Sequence, residues 1–404
     1  MYTPPKKILE KYADVLVNFA LGNGKGIKKG DVVYVSMYEY AKPLYVEILK
    51  KITRAGGNVI SHYMPNSDKT FDITRDFFVN AKMHQITHFP SKYFKGLFEE
   101  ADHYLLVLSE TDMEALKGID PKKIMARKHT LGKIRTLRDE KMKKKRLSRS
   151  IALYGTEATA KEVGMSKKAY WNQIIKACFL DKKNPIAEWK KTEHKLKTIS
   201  KKLNKLNIQK LHVSGPDVDL YITVGKKRRW LSGGGENIPS FEVFTSPDWR
   251  GTEGRIRFNN PVYMDGTLIK GIELEFKRGV VVSACAKKNE KLLKKFISIP
   301  GGNKVGEFSL TDKRLSRITK FMAETLYDEN VGGLNGNMHI ALGKALLENY
   351  DGDIAKLKKS DLKKLGFNDS TLHQDIVSTV PRTVTAYLAG GKEKIIYKNG
   401  MFCV

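Results

Sequence analysis

The sequence predicts an α/β protein, with an N-terminal α/β domain built on a parallel sheet and a C-terminal α+β domain. Residues 30–115 alternate short apolar runs with segments of helical spacing, which is typical of βαβ units. Residues 116–210 are lysine-rich and helical in pattern, and after residue 211 short alternating segments are separated by glycines. Because 404 residues exceed the roughly 250–300 that one core supports, we expect three regions with the bounds 1–115, 116–210 and 211–404.

The N-terminal elements follow one another as strand, helix and strand. Residues 31–36 form an apolar run that predicts a buried strand, and apolar residues recur at helical spacing from Leu44 to Ile52. A glycine pair then ends the helix, residues 58–63 predict the next strand and residues 103–108 another. Strands joined by helices in this way predict a parallel sheet.

A glycine-rich segment, residues 22–26, superficially resembles a phosphate-binding loop. Such a loop joins a strand to the helix that follows it, whereas this segment precedes the first strand. We therefore predict a turn after the first helix.

The middle of the chain predicts helices with one apolar face. That face consists of five residues at helical spacing beneath a coat of lysines: Trp189, Leu196, Ile199, Leu203 and Leu206. Beyond residue 211, segments such as 268–276 and 280–284 alternate and predict a mixed or antiparallel sheet.

The formal net charge is +29, and it is concentrated in this middle region. Residues 117–149 contain 14 Lys and Arg against 3 Asp and Glu, and residues 182–210 contain 10 against 2. Such a field attracts polyanions, so non-specific nucleic-acid association is expected and a nucleic-acid-binding protein is an alternative function. Residues 117–149 contain no Phe, Tyr or Trp that could stack on a base, which favours a solvated basic face instead.

Cysteine usage and hydropathy predict a cytoplasmic protein. The three cysteines, Cys178, Cys285 and Cys403, show no C-x-x-C spacing, and a small odd number is typical of a reducing compartment. No apolar run approaches the ~20 residues that cross a bilayer, and the first residues lack the apolar core of a signal peptide. We expect no disulfide and no membrane partner.

Two of the nine histidines, His339 and His373, lie in sequence settings that are hard to explain by packing alone. His373 and Asp375 are two residues apart, so in an extended segment both side chains point to one face. An imidazole and a carboxylate together suit zinc, manganese or cobalt better than calcium. A single His-x-Asp pattern is more often structural. His339 follows Asn-Gly-Asn-Met and is expected near the start of a helix.

Two glutamates, Glu242 and Glu307, stand among apolar neighbours. A carboxylate in that setting is paired, bound to a cation or turned outward, because burying it alone is costly. For each glutamate taken separately, an edge position facing water is the commoner arrangement.

These segments, in this order, resemble the aminopeptidase T family of metallopeptidases, which includes staphylococcal and streptococcal aminopeptidase S. The resemblance covers nearly the whole chain. The shared segments are Glu-Val-Phe-Thr-Ser-Pro at Glu242, Gly-Glu at Glu307, Asp-Glu-Asn at Glu329, His-Ile-Ala-Leu-Gly at His339 and His-x-Asp at His373. Residues 152–158 and 164–166 are similar to the same family's connecting region.

The resemblance implies a metal-dependent aminopeptidase whose C-terminal domain carries the metals. It implies that two divalent ions per subunit, zinc, cobalt or manganese, are ligated by Glu242, Glu307, His339, His373 and Asp375, with Glu329 as a further ligand or acid/base. Glu307 is the favoured general acid/base and Glu329 the alternative. A hydroxide held by both ions would attack the first peptide bond of a peptide with a free N-terminus, and a homodimer is expected.

The sequence departs from the family pattern at two points, one at Leu346, which keeps a catalytically inactive homologue open as an alternative, and one in the loop after Glu329, which bears on the role of Glu329. The family usually has a tyrosine seven residues beyond the histidine of its His-x-Ala-Leu-Gly motif. Leu346 occupies that position here, and Tyr350 follows one turn later. The glycine-containing loop between Glu329 and His339 is also longer than in familiar members.

Overall fold

A computed structural model describes residues 2–68, 70–264 and 266–404. The chain divides into two compact units. Unit 1 comprises Met1–Lys190 and Gly234–Ser240, and unit 2 comprises Lys191–Gly233 and Phe241–Val404.

Both units contain helices and strands. The strands are β1 (Val32–Tyr38), β2 (Asn58–Met64), β3 (His103–Leu108), β4 (Ser148–Leu153), β5 (Ile208–Gly215), β6 (Val218–Thr223), β7 (Leu231–Ser232), β8 (Asn237–Ile238), β9 (Glu242–Thr245), β10 (Asp248–Arg257), β11 (Val262–Met264), β12 (Thr267–Ile269), β13 (Glu273–Lys277), β14 (Val280–Cys285), β15 (Val305–Thr311), β16 (Asn337–Gly343), β17 (His373–Ser378), β18 (Thr383–Leu388), β19 (Glu393–Lys398) and β20 (Met401–Phe402). The α-helices are α1 (Lys6–Val15), α2 (Leu21–Gly24), α3 (Lys42–Arg54), α4 (Ile73–Asn80), α5 (Met83–Ile86), α6 (Ser91–Glu100), α7 (Pro121–Lys143), α8 (Glu157–Glu162), α9 (Lys167–Ala177), α10 (Pro185–Lys205), α11 (Glu290–Ile297), α12 (Thr325–Asp328) and α13 (Lys359–Lys364).

Unit 1 is built on a five-stranded sheet with the order β2-β1-β3-β4-β8. Every neighbouring pair in it is parallel, which confirms the predicted α/β domain. The three strands expected from the apolar runs are β1, β2 and β3. Two further strands were not predicted. β4 comes directly after the lysine run, inside the region expected to be helical, and β8 has only two residues.

The glycine-rich segment after the first helix is a turn, as predicted. Gly22 and Asn23 have positive φ angles of 66° and 57°, which break the helical path. Gly26 lies against the backbone of Asn18, where an added Cβ would come 2.6 Å from the carbonyl oxygen. The segment therefore turns the chain towards β1.

The apolar face predicted in the middle region lies on α10. In unit 1, the Trp189 ring packs edge-on against Phe179, with ring centres 5.1 Å apart. In unit 2, Leu196 and Leu203 are buried in the core, and Ile199 packs against it. The prediction of a helix with one buried face is confirmed.

Unit 2 has two larger antiparallel sheets, which confirms the predicted α+β character. The eight-stranded sheet has the order β14-β13-β10-β6-β5-β18-β19-β20, and the five-stranded sheet has the order β17-β16-β15-β9-β7. Apolar side chains of both sheets share one core, for example Leu220 and Leu274 from the first and Phe308 and Ile340 from the second. The other face of the five-stranded sheet is therefore left for polar residues.

None of the helices that the structure describes has the length and apolar character to cross a membrane. The three cysteines are free thiols, of which Cys178 is buried and the other two are exposed.

Candidate metal centre

Four neighbouring strands of unit 2 bring five of the predicted residues to one face of a sheet. In the order β9-β15-β16-β17, Thr311 pairs with Glu242 and Ala341 pairs with both Glu307 and Asp375. Side chains alternate between the two faces of a strand. The residues that share the face opposite the core are Glu242, Glu307, His339, His373 and Asp375.

The expectation that His339 starts a helix is wrong. His339 lies in the middle of β16, where Met338 and Ile340 point into the core. The glycine and asparagines before it resembled a helix start, but the apolar residues around it recur with a period of two, as in a strand. That period places the imidazole on the polar face.

The carboxylates surround the two imidazoles at short range. His339 Nε2 lies 3.4 Å from Glu242 Oε2, 3.4 Å from Glu307 Oε1 and 3.8 Å from Asp375 Oδ1. His373 Nε2 lies 3.4 Å from Glu307 Oε2 and 3.6 Å from Asp375 Oδ1. Glu307 therefore directs one oxygen to each histidine.

The centre is deeply buried on one side. Glu242 is 6% exposed, Glu307 4% and His339 1%, whereas the side chains of His373 and Asp375 are somewhat more open, at 13% and 12%. The arrangement that is commoner for a lone strand glutamate, an edge position facing water, is wrong for Glu242 and Glu307. The sequence alone does not show which strands pair. It is this pairing that encloses Glu242 and Glu307.

Burial and neighbouring groups raise the pKa of Glu242 and lower that of Glu307. Burial, with help from the charge of Glu307, raises the pKa of Glu242 to about 7. Burial also disfavours ionised Glu307, but hydrogen bonds to His339 and His373 outweigh that effect and lower its pKa to about 2. Of these two glutamates, Glu307 is therefore the one that stays ionised at neutral pH.

The two histidines respond to the surrounding carboxylates. Burial alone would lower both pKa values, because it disfavours the imidazolium. The neighbouring carboxylates outweigh burial and raise the pKa of His339 and of His373 to about 9. Each imidazole thus takes up a proton where no other cation balances the carboxylates.

This set of donor atoms suits divalent cations. Ligand atoms lie within 4.8 Å of one another in two groups, one of Glu242, Glu307 and His339 and one of Glu307, His373 and Asp375. Asp375 Oδ1 is buried and has no hydrogen-bond partner among the described residues, and a cation would satisfy it. Imidazole nitrogens with carboxylate oxygens suit zinc, manganese or cobalt.

Atoms outside the two groups hold the ligands in place. His373 Nδ1 lies 2.7 Å from the backbone oxygen of Lys344, to which it donates, so Nε2 faces the carboxylates. Ser309 Oγ donates to Glu242 Oε2 at 2.9 Å. Sequence reasoning missed both contacts, because the first joins β17 to the residue after β16 and the second joins β15 to β9, and each depends on how these strands are paired.

Glu329 lies beside the centre but outside both groups. It follows α12 and is 6% exposed. Its backbone oxygen accepts hydrogen bonds from Thr311 Oγ1 (3.3 Å) and Asn337 Nδ2 (3.0 Å), and Asn330 Nδ2 lies 3.3 Å from its carboxylate. Burial first, and then the charges of Glu242 and Asp375, raise its pKa well above the usual range.

Leu346 stands where the family usually has a tyrosine, and Tyr350 follows it. Both residues make contacts with nearby groups. The backbone nitrogen of Leu346 donates to Ser246 Oγ at 2.8 Å. Tyr350 lies edge-on to Phe367, with ring centres 6.3 Å apart. Its ring is thus engaged with an aromatic neighbour.

Known proteins resemble this chain over its whole length. A family model described as thermophilic metalloprotease (M29) matches residues 5–402. Aminopeptidase PepS of Streptococcus thermophilus is 29% identical, with 98% of each chain covered. Aminopeptidase T of Thermus thermophilus is 26% identical, with 99% of each chain covered.

A solved structure, wild-type AmpT from Thermus thermophilus, has a TM-score of 0.82 at 24% identity and covers 99% of this chain and 100% of that one. This likeness shows a shared fold. Together the comparisons confirm the family resemblance expected from the motifs, and with it the prediction of a metal-dependent peptidase. Because the family model extends over almost every residue, the chain belongs to the thermophilic metalloprotease family M29.

Proposed function

We propose that this protein is an aminopeptidase that uses two divalent ions to remove the N-terminal residue from peptides. The observation that carries the proposal is the position of Glu307, which directs one oxygen to His339 and the other to His373. A carboxylate shared in this way suits a centre of two ions. The aminopeptidase names of the relatives support the same activity.

Each ion has its own set of ligands in this proposal. Glu242, Glu307 and His339 hold one ion, which we call the buried position. Glu307, His373 and Asp375 hold the other, which we call the outer position, because His373 and Asp375 are more exposed. The ions are zinc, cobalt or manganese, which match these nitrogen and oxygen donors. When bound, they supply Lewis acidity and make water nucleophilic at neutral pH.

Glu329 is the residue that we assign to proton transfer. Sequence reasoning favoured Glu307 for this role, but both of its oxygens face histidines. Glu329 lies outside both ligand groups, and Asn330 and Asn337 hold it beside them. Its carboxyl group can accept a proton from water and deliver it to the leaving amine, which is the task of a general acid/base.

The preference for a free N-terminus is supported by the aminopeptidase names of the relatives. A free terminal amine has more N–H groups to donate to the carboxylates beside the ions than an acetylated terminus, which keeps one.

The assembly that we propose is a cytoplasmic homodimer. Several large apolar side chains of unit 1 are exposed within one short segment, among them Phe71 (69%) and Val79 (62%). Clustered exposed apolar residues often mark protein interfaces. Light scattering of the purified protein should give twice the mass of one chain, and a monomer at micromolar concentration would contradict the dimer.

The activity is tested by comparing two peptides of the same sequence, one with a free N-terminus and one acetylated there. We expect stepwise release of N-terminal residues from the free peptide only, and loss of that release when a chelator removes the metal. Adding zinc, cobalt or manganese should restore it. Equal cleavage of the acetylated peptide would point to an endopeptidase and contradict the proposal.

A further inference from the structure

Ser309 occupies the centre of the polar face between the proposed ligands. It lies in β15, pairs with His339 on one side and with Phe244 on the other, and is 0% exposed. Its Oγ lies 2.9 Å from Glu242 Oε2. A side-chain hydroxyl is thus fully enclosed next to a buried carboxylate.

The direction of this hydrogen bond is fixed by its partners. Ser309 Oγ donates to Glu242, and the ionised carboxylate that would bind a cation can only accept. The accepting atom, Oε2, is also the oxygen that lies 3.4 Å from His339 Nε2. Ser309 therefore holds the same oxygen that the buried position requires as a ligand.

The two proposed metal positions have different kinds of support. In the outer position, a backbone oxygen, that of Lys344, orients His373. In the buried position, a side chain, that of Ser309, orients Glu242. Groups that hydrogen-bond to metal ligands fix the orientation of those ligands, and their loss typically lowers metal affinity by about 10–100-fold.

We infer that Ser309 is a positioning residue: its hydroxyl fixes Glu242 for the buried position and so determines how tightly that position holds its ion. The inference rests on the proposed function, because it assumes that Glu242 is a ligand. In this assignment Ser309 contributes no ligand of its own, because its hydroxyl is engaged in the hydrogen bond to Glu242.

The test compares Ser309→Ala with a matched control, Ser378→Ala. Ser378 belongs to the same sheet, is 2% exposed and also makes a 2.9 Å hydrogen bond to a charged group, Arg382. It lies on the core face, opposite the proposed ligands. Both variants lose one buried hydroxyl. They differ in the face of the sheet on which that hydroxyl lies.

Metal affinity is measured on the full chain by calorimetric titration with zinc after treatment with a chelator, and by the absorption of bound cobalt. Wild type should bind two ions per chain. In Ser309→Ala, one of the two should bind about 10–100-fold more weakly while the other keeps its affinity, and the visible spectrum of the weakened cobalt should change. Ser378→Ala should bind both ions like wild type.

The results separate this inference from the proposed function. If wild type binds two ions and Ser309→Ala binds both with unchanged affinity, the positioning role is wrong while the metal centre stands. If wild type binds no divalent ion, the metal centre itself is wrong.

A further variant covers the case in which Ser309→Ala does not fold. Ser309→Gly also removes the hydroxyl and introduces no new donor or metal ligand, so it should weaken the same ion. Unchanged affinity in Ser309→Gly would then overturn the inference.

Discussion

Glu307 is the residue through which both histidines are coupled. It is buried, its two oxygens face different imidazoles, and its neighbours keep its pKa low. In the proposed centre it is the only ligand common to both groups. Removing its charge therefore affects both metal positions together.

Replacing Glu307 by Gln tests this shared role. The amide has the same size, but one oxygen becomes an NH2 group that cannot ligate a cation. We expect peptidase kcat/KM to fall by more than about 100-fold, beyond the loss typical of residues that only support ligands, with an unchanged circular dichroism spectrum. Glu275→Gln is the control, because Glu275 pairs with Lys277 away from the centre. A folded Glu307→Gln protein with wild-type turnover would show that the site is wrongly assigned.

The raised pKa values of His339 and His373 predict how metal binding depends on pH. With both pKa values at about 9 in the absence of metal, both imidazoles are protonated at pH 7. A ligand must lose its proton to bind, so about two protons from the histidines and roughly half a proton from Glu242, whose pKa is about 7, should leave per chain at pH 7. The number should fall as the pH rises through 9. Calorimetric titrations in two buffers of different ionisation enthalpy measure it, and no release at pH 7 would contradict the assignment of these ligands.

At the scale of elements, the site depends on how closely β15 and β16 approach. Gly306, next to Glu307, lies where an added Cβ would come 2.4 Å from the backbone oxygen of Gly343 and 2.5 Å from that of Lys344. The Lys344 oxygen in turn accepts the hydrogen bond from His373. Because Gly306 has no Cβ, the Lys344 oxygen can stay where it accepts the hydrogen bond that orients His373.

Gly306→Ala should therefore impair both stability and metal binding. Overpacking of this kind costs about 1–3 kcal/mol of unfolding free energy, and displacement of the Lys344 carbonyl should weaken the outer position. Gly96→Ala in α6 is the control. Nothing lies within 4 Å of its added Cβ, so it should stabilise the helix by roughly 0.5–1 kcal/mol. Urea denaturation and zinc titration measure both effects, and wild-type behaviour of Gly306→Ala would contradict this account.

The elements that sequence reasoning could predict are those whose pattern is local. The strands β1 to β3 appear as apolar runs, and the spacing of His373 and Asp375 places both on one face of β17. β16 was misjudged because its start resembles a helix cap, and β4 because it follows a run of lysines. The contact of Ser309 with Glu242 was missed for a different reason, since it depends on the register of β9 against β15.

At the scale of the whole molecule, the chain has a net charge of +29, whereas its proposed metal centre is rich in carboxylates. Lys143, at the end of α7, and the adjacent Lys144 and Lys145 are exposed. Interactions between exposed charges are screened beyond about 8 Å at physiological salt. Chemistry at buried ligands should therefore be insensitive to these lysines.

Replacing Lys143, Lys144 and Lys145 together by Glu tests the alternative of a nucleic-acid-binding protein. We expect weaker RNA or DNA binding at low salt, because phosphate contacts depend on Lys and Arg. Hydrolysis of a short neutral peptide should stay within a few-fold of wild type. An RNA affinity that is selective and persists at physiological salt, in a protein without peptidase activity, would favour the alternative.

The most direct measurement of the central claim follows metal content and activity in one sample. The protein is stripped with a chelator and titrated with zinc, cobalt or manganese, and bound ions per chain are determined together with the hydrolysis rate of an amino-acid anilide. We predict no activity without metal, and activity that rises as the ions bind and reaches its maximum at two per chain. Full activity in the metal-free protein would contradict the claim that Glu242, Glu307, His339, His373 and Asp375 form a catalytic metal centre.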